Sequence, residues 1–347
     1  MYIRRVFFAI VMSGILISAM FSYFVYRVMF KSNTKFQSDF EVLYIKTNTS
    51  TPQLLNKLDS LLINVNDFKI LAKQKKYVVR PGKYIISRNM NNNQIINILR
   101  SENTTVNVLV NNVKNLNDLA GKVSKQLELD SLELLNSFDD DLFFKNGFDK
   151  ENRLAMYIPN SYNFYWNTNA NDFNLRMLSE HNKFWNINRK EKLKKVGLNK
   201  IQVMILASII NQESKKESEL PTIAGVYFNR LKNNWKLQAD PTVIYAAYKL
   251  DEYKNTVIRR VLNKHLKIDS PYNTYKYFGL PPGLISMPTV NSIDAVLNYE
   301  KHNYFFFAAD PSRPGFHSFA TTFSQHKKNA KKYHYYLNSR NIKKWSY

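Results

Sequence analysis

An uncharged, strongly apolar segment dominates the start of the chain. It covers 21 residues from Val6 to Tyr26, between Arg4–Arg5 on one side and Arg27 on the other. A helix needs about 20 apolar residues to cross the hydrocarbon core of a bilayer. The pattern therefore predicts a transmembrane helix over residues 6–30. A cleaved signal peptide is the alternative, although its apolar region is usually shorter and is followed by small residues at a cleavage site.

Positive residues flank this segment on both sides, so the charge pattern alone does not fix its orientation. Long domains cross membranes largely regardless of flanking charge. The rest of the sequence contains no second apolar segment of this length. Everything after about residue 38 is therefore predicted to be one soluble part on one side of the membrane.

Between residues 38 and 105, strand-like segments alternate with helical ones. Phe40 to Lys46 and Tyr84 to Ile86 show the alternation of strands, and Tyr77 to Val79 is also strand-like. Three segments have helical spacing, namely Thr51–Leu62, Asp67–Lys76 and Gln94–Leu99. The order strand–helix–helix–strand–helix predicts a small α/β module.

The remaining residues, 106–347, are predicted to form one larger mixed α/β domain. Val106 to Val110 has the character of a strand, and Leu116–Leu127, Leu132–Phe138 and Asp172–Asn186 have helical spacing. The predicted fold class is α+β. It comprises a single N-terminal transmembrane helix, the small α/β module and the mixed α/β domain.

A strongly apolar helical segment ends in one carboxylate. Val203, Leu206 and either Ile209 or Ile210 share a helix face with Glu213. A carboxyl group at the inner end of such a stripe loses hydration, which disfavours its charged form and raises its pKa, as suits a general acid. A glutamate paired with a neighbouring lysine at a helix end is the alternative that the residues alone leave open.

Amides, tyrosines and prolines are concentrated after this helix. Trp235 to Pro241 is polar and extended, Tyr272 to Tyr275 combines rings with an amide, and four of the 11 prolines fall between residues 271 and 288. Amides that bind sugar hydroxyls and rings that stack on sugar faces would suit a carbohydrate groove around an acid. A background rich in Asn and Tyr is the alternative explanation.

Composition narrows the classes of function. The 347 residues include 50 Lys and Arg against 27 Asp and Glu, which gives a net charge of +23, and they include no cysteine. Disulfides, thiol nucleophiles and Cys-ligated metals are therefore excluded, and 44% hydrophobic residues argue against wholesale disorder. The charge suggests an anionic partner. Nucleic acid is not expected, because the basic residues are spread along the chain without a recognised motif.

Several ordered motifs resemble those of one bacterial family. The strongest lie within about residues 200–330, and weaker similarity covers YIPNSYNFYW at 157–166 and the module at 40–100. The motifs are ILASIINQES, IAGVYFNRL, LQADPTVIY, YNTY, GLPPG and HSFATTFSQH. Together they resemble the membrane-anchored endolytic murein transglycosylases, in which the small module is LysM-like.

The resemblance implies a non-hydrolytic cleavage of peptidoglycan. In this family the bond between N-acetylmuramic acid and N-acetylglucosamine is cut by the muramyl 6-hydroxyl, which leaves a 1,6-anhydro end. Glu213 matches the catalytic glutamate, and no cofactor or metal is implied. Five further positions match residues expected to bind substrate or support the acid, namely Asn229, Gln238, Asp240, Tyr272 and Asn273.

The sequence is also compatible with two other functions. A hydrolytic muramidase would need a second carboxylate to activate water, for which Asp240 is the near candidate. A non-catalytic peptidoglycan-binding scaffold would keep the module and lose the acid. His317 and His326 lie in the last motif, where each is either structural or in direct contact with substrate.

The resemblance also implies a location and partners. It predicts a cytoplasmic N-terminus at residues 1–5, an inner-membrane anchor at 6–30, a LysM-like module at 38–105 and a periplasmic catalytic domain at 106–347. Glycan strands are the expected substrate, nascent strands during wall assembly in particular, and cell-wall synthases are candidate partners.

Overall fold

The computed structural model describes residues 2–139, 141–254, 256–258 and 260–339, and it confirms a mixed α/β chain in which helices dominate. The strands within these ranges form three two-stranded sheets. The chain makes two compact units. The first comprises Met1–Val108, Ser124–Leu129 and Tyr162–Asn169, and the second comprises Leu109–Val123, Asp130–Ser161 and Ala170–Tyr347.

The first unit has the predicted order of elements. One long helix is followed by two strands and three short helices. In chain order the six elements are α1 (Tyr2–Met29), β1 (Phe40–Ile45), α2 (Thr51–Asp59), α3 (Val65–Gln74), β2 (Gly82–Ser87) and α4 (Asn92–Ser101). Strands β1 and β2 pair antiparallel, from Phe40 opposite Ser87 to Ile45 opposite Gly82. Alternate residues of both strands point into a core that the three short helices complete.

The strand predicted at Tyr77–Val79 is wrong. The chain leaves α3 through Lys76 at a positive φ of 51°, and the Tyr77 amide donates to the carbonyl oxygen of Ala72 at 2.8 Å. Tyr77 and Val79 pack against the core as partly buried side chains. Their apolar character therefore serves packing and not strand pairing.

Helix α1 is long and apolar enough to cross a membrane. It spans 28 residues with a mean hydropathy of 2.1 in its most apolar window, none of which is buried. At 1.5 Å per residue it is about 42 Å long. Its last turn belongs to the core of the first unit, where Val28 is buried and Arg27 pairs with Asp67 at 3.1 Å. The amide nitrogen of Asn92 also donates to the Val28 carbonyl oxygen at 2.9 Å.

The second unit is built largely from helices. Strands β3 (Thr105–Val110) and β4 (Asn160–Tyr165) pair with each other, and both strands carry the chain from one unit to the other. The helices that follow β3 are α5 (Leu116–Ser124), α6 (Ser131–Ser137), α7 (Asp141–Lys145), α8 (Ala170–Phe184), α9 (Ile187–Val196), α10 (Lys200–Glu213), α11 (Leu220–Lys232), α12 (Asp240–Tyr248), α13 (Asn263–Leu266) and α14 (Val290–Leu297). A hairpin of β5 (Phe306–Ala309) and β6 (His317–Ala320) and helix α15 (Phe323–Ser339) complete the unit.

Helix α10 is the central helix of this unit. Its N-terminus is fixed by a capping box between Asn199 and Gln202, and every residue from Val203 to Ile210 is buried. The sequence predicted one apolar stripe, whereas the helix is enclosed on all faces. The loop after Gly283 packs against it, with the Ile285 amide donating to the Ser208 hydroxyl at 3.2 Å. The carboxylate at its end is thus held on a rigid element.

Candidate active site

Glu213 is the last residue of α10 and is half-buried. The Tyr227 hydroxyl donates to its Oε1 at 2.8 Å. Loss of hydration raises the pKa of Glu213 to about 7; the Tyr227 hydrogen bond opposes this rise, the charge of Asp240 adds to it, and the charge of Arg230 opposes it. The C-terminus of a helix also disfavours a negative charge. Glu213 is therefore a carboxyl group that has lost hydration, as predicted, and its pKa lies near neutral pH.

Helix α11 places Tyr227 beside the acid. The helix begins with Pro221 in its first turn, a position that needs no backbone donor. Burial strongly raises the pKa of Tyr227, so its hydroxyl stays protonated and can keep donating to Glu213. Gly225 allows the close approach of the segment that follows α14, because a Cβ there would lie 2.3 Å from the Glu300 carbonyl oxygen and 2.5 Å from the His302 ring.

Arg230 lies one helical turn after Tyr227 and joins two distant segments. It is buried, and its Nε donates to the Phe305 carbonyl oxygen at 2.8 Å while its Nη1 donates to the Leu237 carbonyl oxygen. Burial lowers the pKa of the guanidinium, but a group with so high an ordinary value remains charged. Arg230 thus supplies a fixed positive charge that acts on the acid, and it joins the segments at Leu237 and Phe305.

Asp240 and Gln238 have exposed side chains, as binding residues require. Asp240 opens α12 and accepts a hydrogen bond from the Tyr275 hydroxyl at 2.6 Å. Gln238 has a positive φ of 48°, and its backbone amide donates to the Thr274 carbonyl oxygen at 3.1 Å. The constrained backbone holds the Gln238 side chain outward, which is consistent with the expected contact to substrate.

Asn229 contacts the protein's own backbone. Its side-chain amide donates to the carbonyl oxygens of His302 and Tyr304, at 2.8 and 2.9 Å. These bonds fix the segment that leads into β5. The structure therefore places Asn229 where it supports the site.

Tyr272 and Asn273 are buried in the turn that precedes the GLPPG segment. The Tyr272 hydroxyl donates to Glu151 at 2.8 Å. The Asn273 amide donates to the carbonyl oxygens of Leu266 and Ile268, at 3.0 and 2.8 Å. Both side chains thus organise their loop, and the structure brings neither into hydrogen-bond contact with Glu213.

The two histidines of the last motif have different environments. The backbone amide and the ring Nδ1 of His317 contact the two carboxylate oxygens of Glu219, at 2.8 and 3.0 Å. This contact ties β6 to the segment after α10. His326 stacks on Phe306 with ring centroids 5.3 Å apart, and burial lowers its pKa. The contact of His317 with Glu219 thus holds two segments of the protein together. The ring of His326 is neutral and packs against the ring of Phe306.

Sequence reasoning missed Tyr227, Arg230 and Tyr275 as site residues. Tyr227 and Arg230 lie three positions apart in α11, so both share a helix face, and Tyr275 ends the motif YNTY. Helical spacing within the motif IAGVYFNRL could have paired the first two. Their link to Glu213 depends on how α11 packs, which spacing does not give.

The arrangement can move a proton at neutral pH. It combines the carboxyl group of Glu213, whose pKa is raised, with the Tyr227 phenol, which donates a hydrogen bond to it. A second carboxylate, Asp240, adds to the rise of that pKa through its charge. Among the described residues, no group of three or more acidic or histidine side chains is placed to hold a metal ion. The site has the elements of general acid–base catalysis.

Comparison with known proteins assigns a family. Residues 43–332 match the YceG-like family, so the chain belongs to it. A relative from Bacillus subtilis, named endolytic murein transglycosylase, is 32% identical over 282 residues, which cover 76% of this chain and 74% of that protein. A protein of the same name from Streptococcus pneumoniae is 33% identical over 118 residues, which cover 34% of this chain and 21% of that protein.

A solved structure shares the fold. The crystal structure of a YceG-like protein from Listeria monocytogenes aligns with 84% of this chain and 99% of its own chain, with a TM-score of 0.57 and 24% identity. The predicted family is thus confirmed by sequence, and the mixed α/β architecture by structure.

Proposed function

We propose that this protein is an endolytic murein transglycosylase that cleaves glycan strands without water and leaves 1,6-anhydro ends. The observation that carries the proposal is the single carboxyl group of Glu213, held at the end of a buried helix with a pKa of about 7. A group whose pKa lies near neutral pH can act first as an acid and then as a base. The names of the relatives support the same activity.

The reaction needs only one carboxyl group because the nucleophile belongs to the substrate. Glu213 gives its proton to the glycosidic oxygen as the bond from that oxygen to the muramyl C1 breaks. The muramyl 6-hydroxyl oxygen then bonds to C1, and its proton passes to the Glu213 carboxylate, which restores the acid. An attack within one sugar residue avoids much of the entropic barrier of a bimolecular step.

The five other predicted residues divide into two roles under this proposal. Gln238 and Asp240 bind or orient the strand from exposed positions. Asn229, Tyr272 and Asn273 hold the segments that shape the cleft, through the backbone and carboxylate contacts described above. Burial raises the pKa of the acid, and Tyr227 and Arg230 limit that rise.

The product of a digest tests the proposal. The full chain in detergent is incubated with peptidoglycan, and fragments are analysed by mass spectrometry beside Glu213→Gln. Anhydro ends from the wild type and a rate about 10²–10⁴-fold lower in the variant are expected. Reducing ends would instead indicate a hydrolase, with Asp240 as the candidate water-activating base. No cleavage with retained binding would indicate a scaffold.

The location and partners extend this proposal. Helix α1 is the proposed single-pass anchor of an inner-membrane protein, residues 38–105 are the proposed LysM-like glycan-binding module, and residues 106–347 are the proposed periplasmic catalytic domain. Such an enzyme would act on nascent strands beside cell-wall synthases. The absence of cysteine allows a direct test, since a single cysteine at Glu102 is expected to react with an impermeant maleimide in cells and one at Met12 is not.

A further inference from the structure

A row of aromatic rings lies at the surface of the second unit. The side chains of Trp235 and Phe323 are exposed by 45% and 58%. Phe306 lies between them, with its ring centroid 5.8 Å from each of the other two. We call these three rings the aromatic row. Large rings that are left exposed side by side in a folded protein commonly mark a binding surface.

One residue, Arg230, connects the aromatic row to the acid. The Arg230 guanidinium carbon lies 5.6 Å from the Phe306 ring centroid. The charge of that same guanidinium also acts on the ionisation of Glu213. Arg230 further binds the backbone of Leu237 and Phe305, the neighbouring segments that carry Trp235 and Phe306. Arg230 therefore links the two features: it contacts the Phe306 ring, it joins the segments that carry Trp235 and Phe306, and its charge acts on Glu213.

Lysines accompany the rings. Lys327 Nζ lies 5.1 Å from the Phe323 ring centroid, and Lys236, which follows Trp235 in the chain, places its Nζ 5.1 Å from the ring centroid of Phe278. Exposed rings with adjacent cations suit a ligand that offers apolar faces and negative charges together. A glycan strand with stem peptides has both, because pyranose faces are apolar and the peptides carry carboxylates.

We propose that the aromatic row is a glycan subsite of the cleft, in which sugar rings stack on Trp235 and Phe323 while Lys236 and Lys327 attract the carboxylates of stem peptides. This inference rests on the proposed function. It assigns the sugar rings and the stem-peptide carboxylates of the strand as the groups that bind at the aromatic row.

Equilibrium binding tests the subsite. Soluble peptidoglycan strands are titrated into the full chain carrying Glu213→Gln, so that no strand is cut. We expect Phe323→Ala and Trp235→Ala each to raise the Kd about three- to tenfold, as for the loss of one aromatic stacking contact. Phe144→Ala is the matched control, since Phe144 is 80% exposed on α7, and its Kd should not change. An unchanged Kd for Phe323→Ala would overturn the proposal.

Two further arms separate possible failures. Lys327→Gln should raise the Kd for strands whose stem peptides carry free carboxylates and leave it unchanged for strands whose carboxylates have been chemically amidated; equal effects on both would overturn the role of the lysine. Thermal unfolding identifies a variant that fails to fold, and Phe323→Ala is the safer variant because its ring is the more exposed. If the wild type makes no anhydro ends while the row still governs binding, the proposed reaction is wrong and the subsite stands.

Discussion

Two loops of the second unit carry polar residues from recognised motifs, yet they use them in opposite ways. The loop at residues 235–240 presents Gln238 and Asp240 to solvent. The turn at residues 270–275 buries Asn273 completely, with its amide bound to two backbone carbonyl oxygens. Membership of a motif therefore does not distinguish a residue that binds a ligand from one that builds the cleft.

The difference has a simple physical origin. A turn without regular structure leaves backbone carbonyl groups unpaired, and buried carbonyls must find donors within the protein. Asn273 supplies two such donors. The loop at 235–240 runs into α12, and its backbone is bound through Arg230 and Thr274, so its own side chains are not needed to pair its backbone groups.

The largest effect should come from removing the buried amide. Asn273→Ala leaves two carbonyl groups without their donor, and we expect the free energy of unfolding to fall by about 2–4 kcal/mol. Thermal or urea unfolding measures it. Gln238→Ala is the matched control and should change stability by less than about 0.5 kcal/mol. Equal losses in the two variants would break the distinction between the loops.

The acid itself should lower stability at high pH. The pKa of Glu213 is raised in the folded state from about 4.5 to about 7, so the native protein binds more protons than the unfolded chain between these values. Stability is therefore lost as the pH rises through this range. Glu213→Gln is expected to be more stable than the wild type by about 1–3 kcal/mol at pH 8. The advantage should shrink towards pH 5, and an advantage independent of pH would contradict the assignment.

Two residues that act on Glu213 should shift its pKa in opposite directions when they are replaced. Asp240→Asn removes a negative charge that raises the pKa, so the alkaline limb of kcat/KM should shift to lower pH. Tyr227→Phe removes a hydrogen bond that lowers the pKa, so that limb should shift to higher pH. Profiles of rate against pH measure both. Shifts in the same direction would mean that the alkaline limb reflects the ionisation of a group other than Glu213.

The smallest effect is expected at the exposed amide. Gln238→Ala should raise KM about two- to fivefold, as for the loss of one hydrogen bond to substrate, without altering the melting temperature. Steady-state kinetics on soluble strands measures it. Unchanged kinetics would remove Gln238 from the binding surface and leave Asp240 as the predicted polar residue in this loop.

Local patterns predicted the elements better than the contacts between them. The apolar run of α1, the order of the first unit and the position of Glu213 at the end of a buried helix all follow from periodicity. The hairpin of β5 and β6 was not predicted, because its strands are four residues long and their partners lie across a turn. The role of Arg230 was also missed, since it joins Leu237 to Phe305, and Phe305 lies 75 positions after Arg230 in the chain.

The end of α1 is built into the core of the first unit, and this has a mechanical consequence. Val28 packs among core residues, and Arg27 and the Val28 carbonyl group are bonded to Asp67 and Asn92. If α1 spans a bilayer, a pull along the helix loads a folded core directly, with no slack peptide to absorb it. The first unit would then be rigidly attached to its helix, and it would diffuse along the membrane at a fixed distance from the bilayer.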